Sequence, residues 1–135
     1  MRKVIGIGET ILDIIFKNEQ PTAAKPGGST FNSMITLGRL GVNTEFISEV
    51  GRDRLGKQIK DFLAENNVKS ENVYDYDGGK TALSLAFLDE NMNADYLFYK
   101  NDAAQKLDYV MPKIEENDII VIGSFFSIND ALREN

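Results

Sequence analysis

Four short groups of residues have the types and spacing to hold a small polar molecule. In Pro26-Gly27-Gly28-Ser29-Thr30-Phe31-Asn32, two adjacent glycines stand immediately before a helical pattern. Glycines let backbone approach a ligand closely, and the first helical turn offers unpaired N–H groups at its positive end. Asn32 falls on that first turn, where its amide can both donate to and accept from a hydroxyl. Asp13 is the single charge inside the apolar run Ile11–Phe16. A carboxylate accepts two hydroxyl hydrogens, which suits a polyol. Phe98 and Lys100 alternate onto one face of an extended segment with Tyr96, bringing an aromatic surface and a cation together. Gly51-Arg52-Asp53-Arg54-Leu55-Gly56 is a charged turn between glycines, in which Asp53 suits a helix cap. Each group also has a plain structural reading: a capped loop, a solvated strand-end aspartate, an edge strand with an exposed lysine.

The composition narrows the chemistry. The 135 residues fit one domain, and with 42% hydrophobic and 27% charged side chains the chain can build a core and stay soluble. Histidine and cysteine are absent, which removes disulfides, a thiolate nucleophile, an imidazole base and the usual zinc ligands. Chemistry must rest on carboxylates, amides, hydroxyls, lysine and arginine. A net charge of −6 without a lysine–arginine stripe argues against nucleic acid as a partner. The N-terminal apolar run is too short for a signal peptide, and no stretch approaches a membrane span. A cytoplasmic protein with no membrane partner is expected.

The elements that must position these residues follow from periodicity. Lys3–Gly8, Thr44–Val50 and Asp118–Gly123 are β-branched runs expected as buried strands, and Val73–Tyr76 is a short extended segment. Ser29 and Thr30 are expected to cap a helix ending near Leu40 before Gly41. Asp53 is expected to cap another through Asn66, with Leu55, Ile59, Phe62 and Leu63 as its buried stripe. A last helix opens near Ser127. This alternation predicts an α/β fold with a parallel sheet layered by helices. Two β-rich segments, about 11–25 and 80–100, do not fit it and are expected to form a small separate sheet, the second turning at Glu90–Ala94. Asn18–Pro26 itself reads as a loop. The final residues read as an opening helix with no stop signal, so the chain looks cut short.

Taken together, these motifs resemble the ribokinase-like (PfkB) carbohydrate kinases over essentially the whole chain, residues 1–135. Gly6-Ile7-Gly8-Glu9-Thr10-Ile11-Leu12-Asp13 is similar to the opening strand and substrate aspartate of fructokinase-like members. The Pro26–Asn32 run followed by Leu37-Gly38-Arg39-Leu40-Gly41 resembles the family's first signature, as does Val50–Gly56. Lys80–Phe87 and Phe98-Tyr99-Lys100-Asn101 resemble its lid strands. The resemblance implies a ribokinase-like core with a β lid, and phosphate transfer from ATP, with Mg2+, to a hydroxyl of fructose, a related ketose or a sugar acid. It implies that Asp13, Gly27, Gly28 and Asn32 hold the sugar, with Phe98 and Lys100 added from the lid, and that the lid joins a homodimer.

The family's Gly-Ala-Gly-Asp run, which supplies the anion pocket and the aspartate base, does not occur in these residues, nor does an Asn-x-x-Glu. No catalytic, nucleotide-binding or metal residue is therefore expected within this chain, and the chain alone is expected to be inactive. Two other readings compete. Gly6-Ile7-Gly8 imitates the start of a dinucleotide-binding loop, but Ile11 takes the third glycine position. A stand-alone half-domain that binds a sugar or a partner without catalysis is the alternative from another class.

Overall fold

The structure, a computed structural model, describes residues 2–100 and 110–123. Strand β1 (Val4–Ile7) is buried along its whole length, with β4 (Thr44–Gly51) on one side and β9 (Ile119–Ile122) on the other, both parallel to it. A central parallel strand is covered on both faces, which is why its sequence is continuously apolar rather than alternating. The far side of β4 pairs in parallel with two short strands. β5 (Val68–Lys69) takes its first residues and β6 (Val73–Tyr76) its last.

Two helices cover one face of this sheet, α1 (Ser29–Arg39) and α2 (Arg54–Glu65). Phe31, Met34 and Ile35 of α1 and Ile59 and Leu63 of α2 form one cluster with Val4, Phe46, Val50, Val68 and Val73. Phe31 meets Phe46 edge-on at 5.7 Å and stacks on Phe62 at 6.1 Å. Burying such a side chain fully contributes about 1.5–3 kcal/mol, so this cluster is the main source of stability for the parallel sheet. Ile5, Ile7 and Ile47 form a smaller cluster on the opposite face, with Tyr74 packed against it.

The second sheet has the order β3-β2-β7-β8 and consists of two hairpins joined side by side. β2 (Ile11–Lys17) and β3 (Gln20–Gly27) are antiparallel, as are β7 (Leu83–Leu88) and β8 (Ala94–Tyr99), while β2 and β7 run parallel. Asn18 and Glu19 turn the first hairpin with φ of 50° and 59°, the left-handed pair that a two-residue hairpin turn needs. In the second turn the Asp89 carboxylate accepts from the N–H groups of Asn91 and Asn93 and from the Asn93 amide.

Four expectations need correction. Asp118–Gly123 contains the expected parallel strand, β9, but Ile119, Ile120 and Ile122 are exposed rather than buried, because among the described residues β9 pairs with β1 alone. Asn18–Pro26 is not a loop: after the Asn18–Glu19 turn it is β3. Pro21 and Pro26 are tolerated because β3 is an edge strand with no partner on its outer side. Ser29 and Thr30 do not cap α1; Gly28 is the cap residue, no side chain closes the helix end, and Ser29 is already helical. Asp13 is not a solvated strand-end aspartate: it is the half-buried third residue of β2, inside the second sheet. Asp53 does cap α2, accepting from the Gly56 N–H at 2.9 Å. The helix expected near Ser127 lies outside the described residues.

Candidate functional site

The β2–β3 hairpin brings Asp13 to Gly27. The two strands place Ile11 opposite Gly27 and Asp13 opposite Lys25, and the Asp13 carboxylate leans back over Gly27. A β-carbon at Gly27 would overlap Asp13 Oδ2, so the glycine makes the room in which the carboxylate sits. The other oxygen, Oδ1, accepts from the Ser84 hydroxyl at 2.5 Å, and Ser84 is fully buried on the neighbouring strand β7. One oxygen of Asp13 is thus oriented from below, and the carboxylate lies half-buried beside a bare stretch of backbone.

Next along the chain, Gly28 has φ 128°, a value that L-residues rarely adopt, and a side chain there would strike the Glu9 carbonyl. The Gly28 carbonyl accepts from the Asn32 N–H at 2.9 Å, which starts α1. The Asn32 side chain is exposed on the first turn, and among the described residues nothing hydrogen-bonds to its amide. No acidic residue occupies that turn, so the positive end of α1 is left open. Thr10 fixes the loop from beneath, its hydroxyl donating to the Gly27 carbonyl at 3.1 Å. The Thr30 hydroxyl is buried, close against Gly8 and Gly123, with no hydrogen-bond partner among the described residues.

Strand β8 completes the circuit. β7 and β8 place Ser84 opposite Phe98, and Tyr96 stacks on Phe98 at 5.7 Å, which puts the two on one face as their alternation requires. The Lys100 ammonium lies 5.3 Å from the centre of the Phe98 ring. It also forms an ion pair of 2.5 Å with Glu9 at the end of β1. A continuous ring of contacts therefore runs from Asp13 through Ser84, Phe98, Lys100 and Glu9 to Gly28 and Gly27. It links the separate sequence segments across the two sheets. Asn32 stands beside this ring without a side-chain contact to it.

Three members went unrecognised in the sequence: Ser84, Thr10 and the Glu9 side chain. Ser84 sits in an apolar run, and only the β2–β7 register reveals its partner 71 residues away. Glu9 lies inside the opening motif, but its pairing with Lys100 depends on two sheets meeting.

The Gly51–Gly56 turn has a structural task that reaches the lid. Asp53 accepts from both the N–H and the hydroxyl of Thr81 at 2.7 Å, just before β7 begins, in addition to capping α2. Burial raises the pKa of Asp53, but the hydrogen bonds from Gly56 and Thr81 outweigh it and hold the carboxyl below its ordinary value. A cavity of about 450 Å3 lies at this junction, lined by Gly78, Lys80, Thr81, Leu83, Tyr99 and Lys100.

A parallel sheet with helices on one face, joined to a separate four-stranded β sheet, defines a class of α/β proteins. The family described as pfkB family carbohydrate kinase matches residues 1–135, and the chain belongs to it. Over 111 residues it is 30% identical to probable fructokinase-6, chloroplastic, of Arabidopsis thaliana, covering 77% of this chain and 29% of that protein. Fructokinase-1 of Zea mays is also 30% identical, over 77% of this chain and 34% of its own length. An uncharacterized sugar kinase from Pyrococcus horikoshii superposes with a TM-score of 0.66 at 25% identity, over 72% of this chain and 34% of that one. Fructokinase from Vibrio cholerae shares the fold with a TM-score of 0.69 over 78% of this chain and 36% of its own. The chain thus spans about a third of the length of these relatives. Among the described residues no helix is long and apolar enough to cross a membrane.

Proposed function

We propose that the complete protein transfers the γ-phosphate of ATP to a hydroxyl of fructose, or of a related ketose or sugar acid, and that this chain supplies the sugar-binding side of the site. The observation that carries this reading is the Asp13 carboxylate, turned over Gly27 by Ser84 and facing a helix N-terminus whose Asn32 amide has no partner among the described residues. A charged acceptor and an amide together suit vicinal hydroxyls, because each hydroxyl both donates and accepts. Gly27 and Gly28 let the sugar approach the backbone, Phe98 offers its ring, and Lys100 closes the rim. Closing the lid sheet over the cup would exclude water, which protects ATP from hydrolysis.

ATP use is supported by the Pyrococcus horikoshii sugar kinase, which has been solved in complex with ATP. The described residues do not fit the metal–nucleotide part of the reaction. Among them no three acidic side chains converge into a metal site, so no step is routed through Mg2+ or the nucleotide. This chain alone is inactive in our reading, because the family's Gly-Ala-Gly-Asp run does not occur in its 135 residues. A homodimer through the lid is supported by Leu97 and Tyr99, which are 48% and 56% exposed on the face of β8 opposite Phe98. The protein is cytoplasmic in the same reading, with no nucleic-acid or membrane partner.

ADP release by the complete protein with Mg-ATP, measured against ketoses, aldoses, sugar acids and nucleosides, tests the proposal. Release that depends on one of the named sugars is expected. Release only with a nucleoside would reassign the substrate, and none with any compound would leave a non-catalytic binding protein.

A further inference from the structure

The ion pair between Glu9 and Lys100 bears on which sugars the cup accepts, an inference that rests on the sugar-site reading above. Lys100 projects from the lid at the end of β8, and Glu9 follows β1 of the parallel sheet. Their side chains are 30% and 22% exposed, so the pair is largely withdrawn from solvent. The ammonium is held on two sides, by Glu9 Oε1 at 2.5 Å and by the face of Phe98 at 5.3 Å. A carboxylate on a ligand would have to displace Glu9 from Lys100, leaving a half-buried anion uncompensated. Removing the partner from a withdrawn charge pair costs more than the pair itself contributes, and discrimination by such an unpaired charge is a general route to specificity. Lys25 is the other described cation of this sheet near the site. It is exposed and stands directly across from Asp13 in the strand register. Glu9 thus holds the ammonium that lies against Phe98, while Lys25 and Lys80 stay exposed at the periphery. A neutral polyol disturbs none of these pairings.

We propose that Glu9 is a specificity-determining residue: by holding the charge of Lys100 it makes the site select neutral ketoses over sugar acids. D-Fructose and 2-keto-D-gluconate, which differ only in a carboxylate at C1, form the matched probe pair. Their dissociation constants for the complete protein are measured by titration calorimetry, so the readout does not depend on turnover. Wild type is expected to bind fructose at least tenfold more tightly. Glu9→Gln frees Lys100 and is expected to shift the affinity ratio toward the acid by about tenfold, roughly 1.4 kcal/mol. In a Lys100→Met background, Glu9→Gln should lose that gain, which separates charge release from a change of shape. Glu9→Ser repeats the comparison if the Gln variant is unstable by thermal unfolding. An unchanged ratio in the position-9 variants, or the same gain in the Lys100→Met background, overturns the proposal. Tighter binding of the acid by wild type overturns it while leaving the sugar site in place. Absence of binding by either sugar to wild type removes the sugar-site reading itself.

Discussion

The two sheets are built on opposite terms. In the parallel sheet, β1 and β4 are buried almost throughout and covered by Phe31, Met34, Ile59 and Leu63. In the second sheet, β8 exposes Tyr96, Leu97, Phe98 and Tyr99 to between 48% and 60%, and among the described residues neither outer strand has a further neighbour. One sheet is held by its own core, and the other by its two hairpins, the Asp53–Thr81 bonds and the Glu9–Lys100 pair. Stability concentrated in one part leaves the other free to move against it, which a site that must admit a ligand and then exclude water requires. The residues that meet the ligand in our reading lie on or beside the weaker sheet.

The largest expected effect sharpens that contrast. Phe31→Ala removes a fully buried ring at the centre of the main cluster and should cost about 3–5 kcal/mol in urea unfolding. Phe98→Ala, at 60% exposure, should cost less than about 1 kcal/mol. Equal losses would mean that the lid is packed as firmly as the core. Asp53→Ala comes next. It removes the α2 cap and the lid anchor together, and about 1–2 kcal/mol is expected from the cap. Because the folded-state pKa of Asp53 is lowered, its contribution is fully present above the unfolded value near 3.8 and is lost as pH falls through the lower folded value. The stability gap between wild type and Asp53→Asn should therefore be constant near neutrality and narrow below about pH 4. A gap that widens in acid would contradict this. Leu97→Asp should change folding stability least, yet dissociate the complete protein in sedimentation if the lid joins two copies. An unchanged sedimentation coefficient would detach the dimer from the lid.

What the sequence makes legible divides along the same line. β1, β4 and the two helices could be read because burial imprints its period on residues such as Ile59, Phe62 and Leu63, and β9 from its β-branched run alone. Asp53 could be read as a cap because a cap acts within three residues. β3 was opaque, since an exposed edge strand containing Pro21, Ala24 and Pro26 carries no apolar alternation. The glycine motif and Asp13 could be matched to a family pattern, and so could the order of Phe98 and Lys100. The pairings that join them, Asp13 with Ser84 and Lys100 with Glu9, span 71 and 91 residues and follow only from register and from the meeting of the two sheets.

The central claim, that Asp13 is the charged acceptor of the sugar in the cup between the two sheets, is tested most directly by kcat/KM of Asp13→Ala in the complete protein with its preferred sugar. Loss of a charged acceptor for two hydroxyls predicts a fall corresponding to about 2–4 kcal/mol, roughly 30- to 1,000-fold. A kcat/KM equal to that of wild type would take Asp13 out of the site and contradict the account.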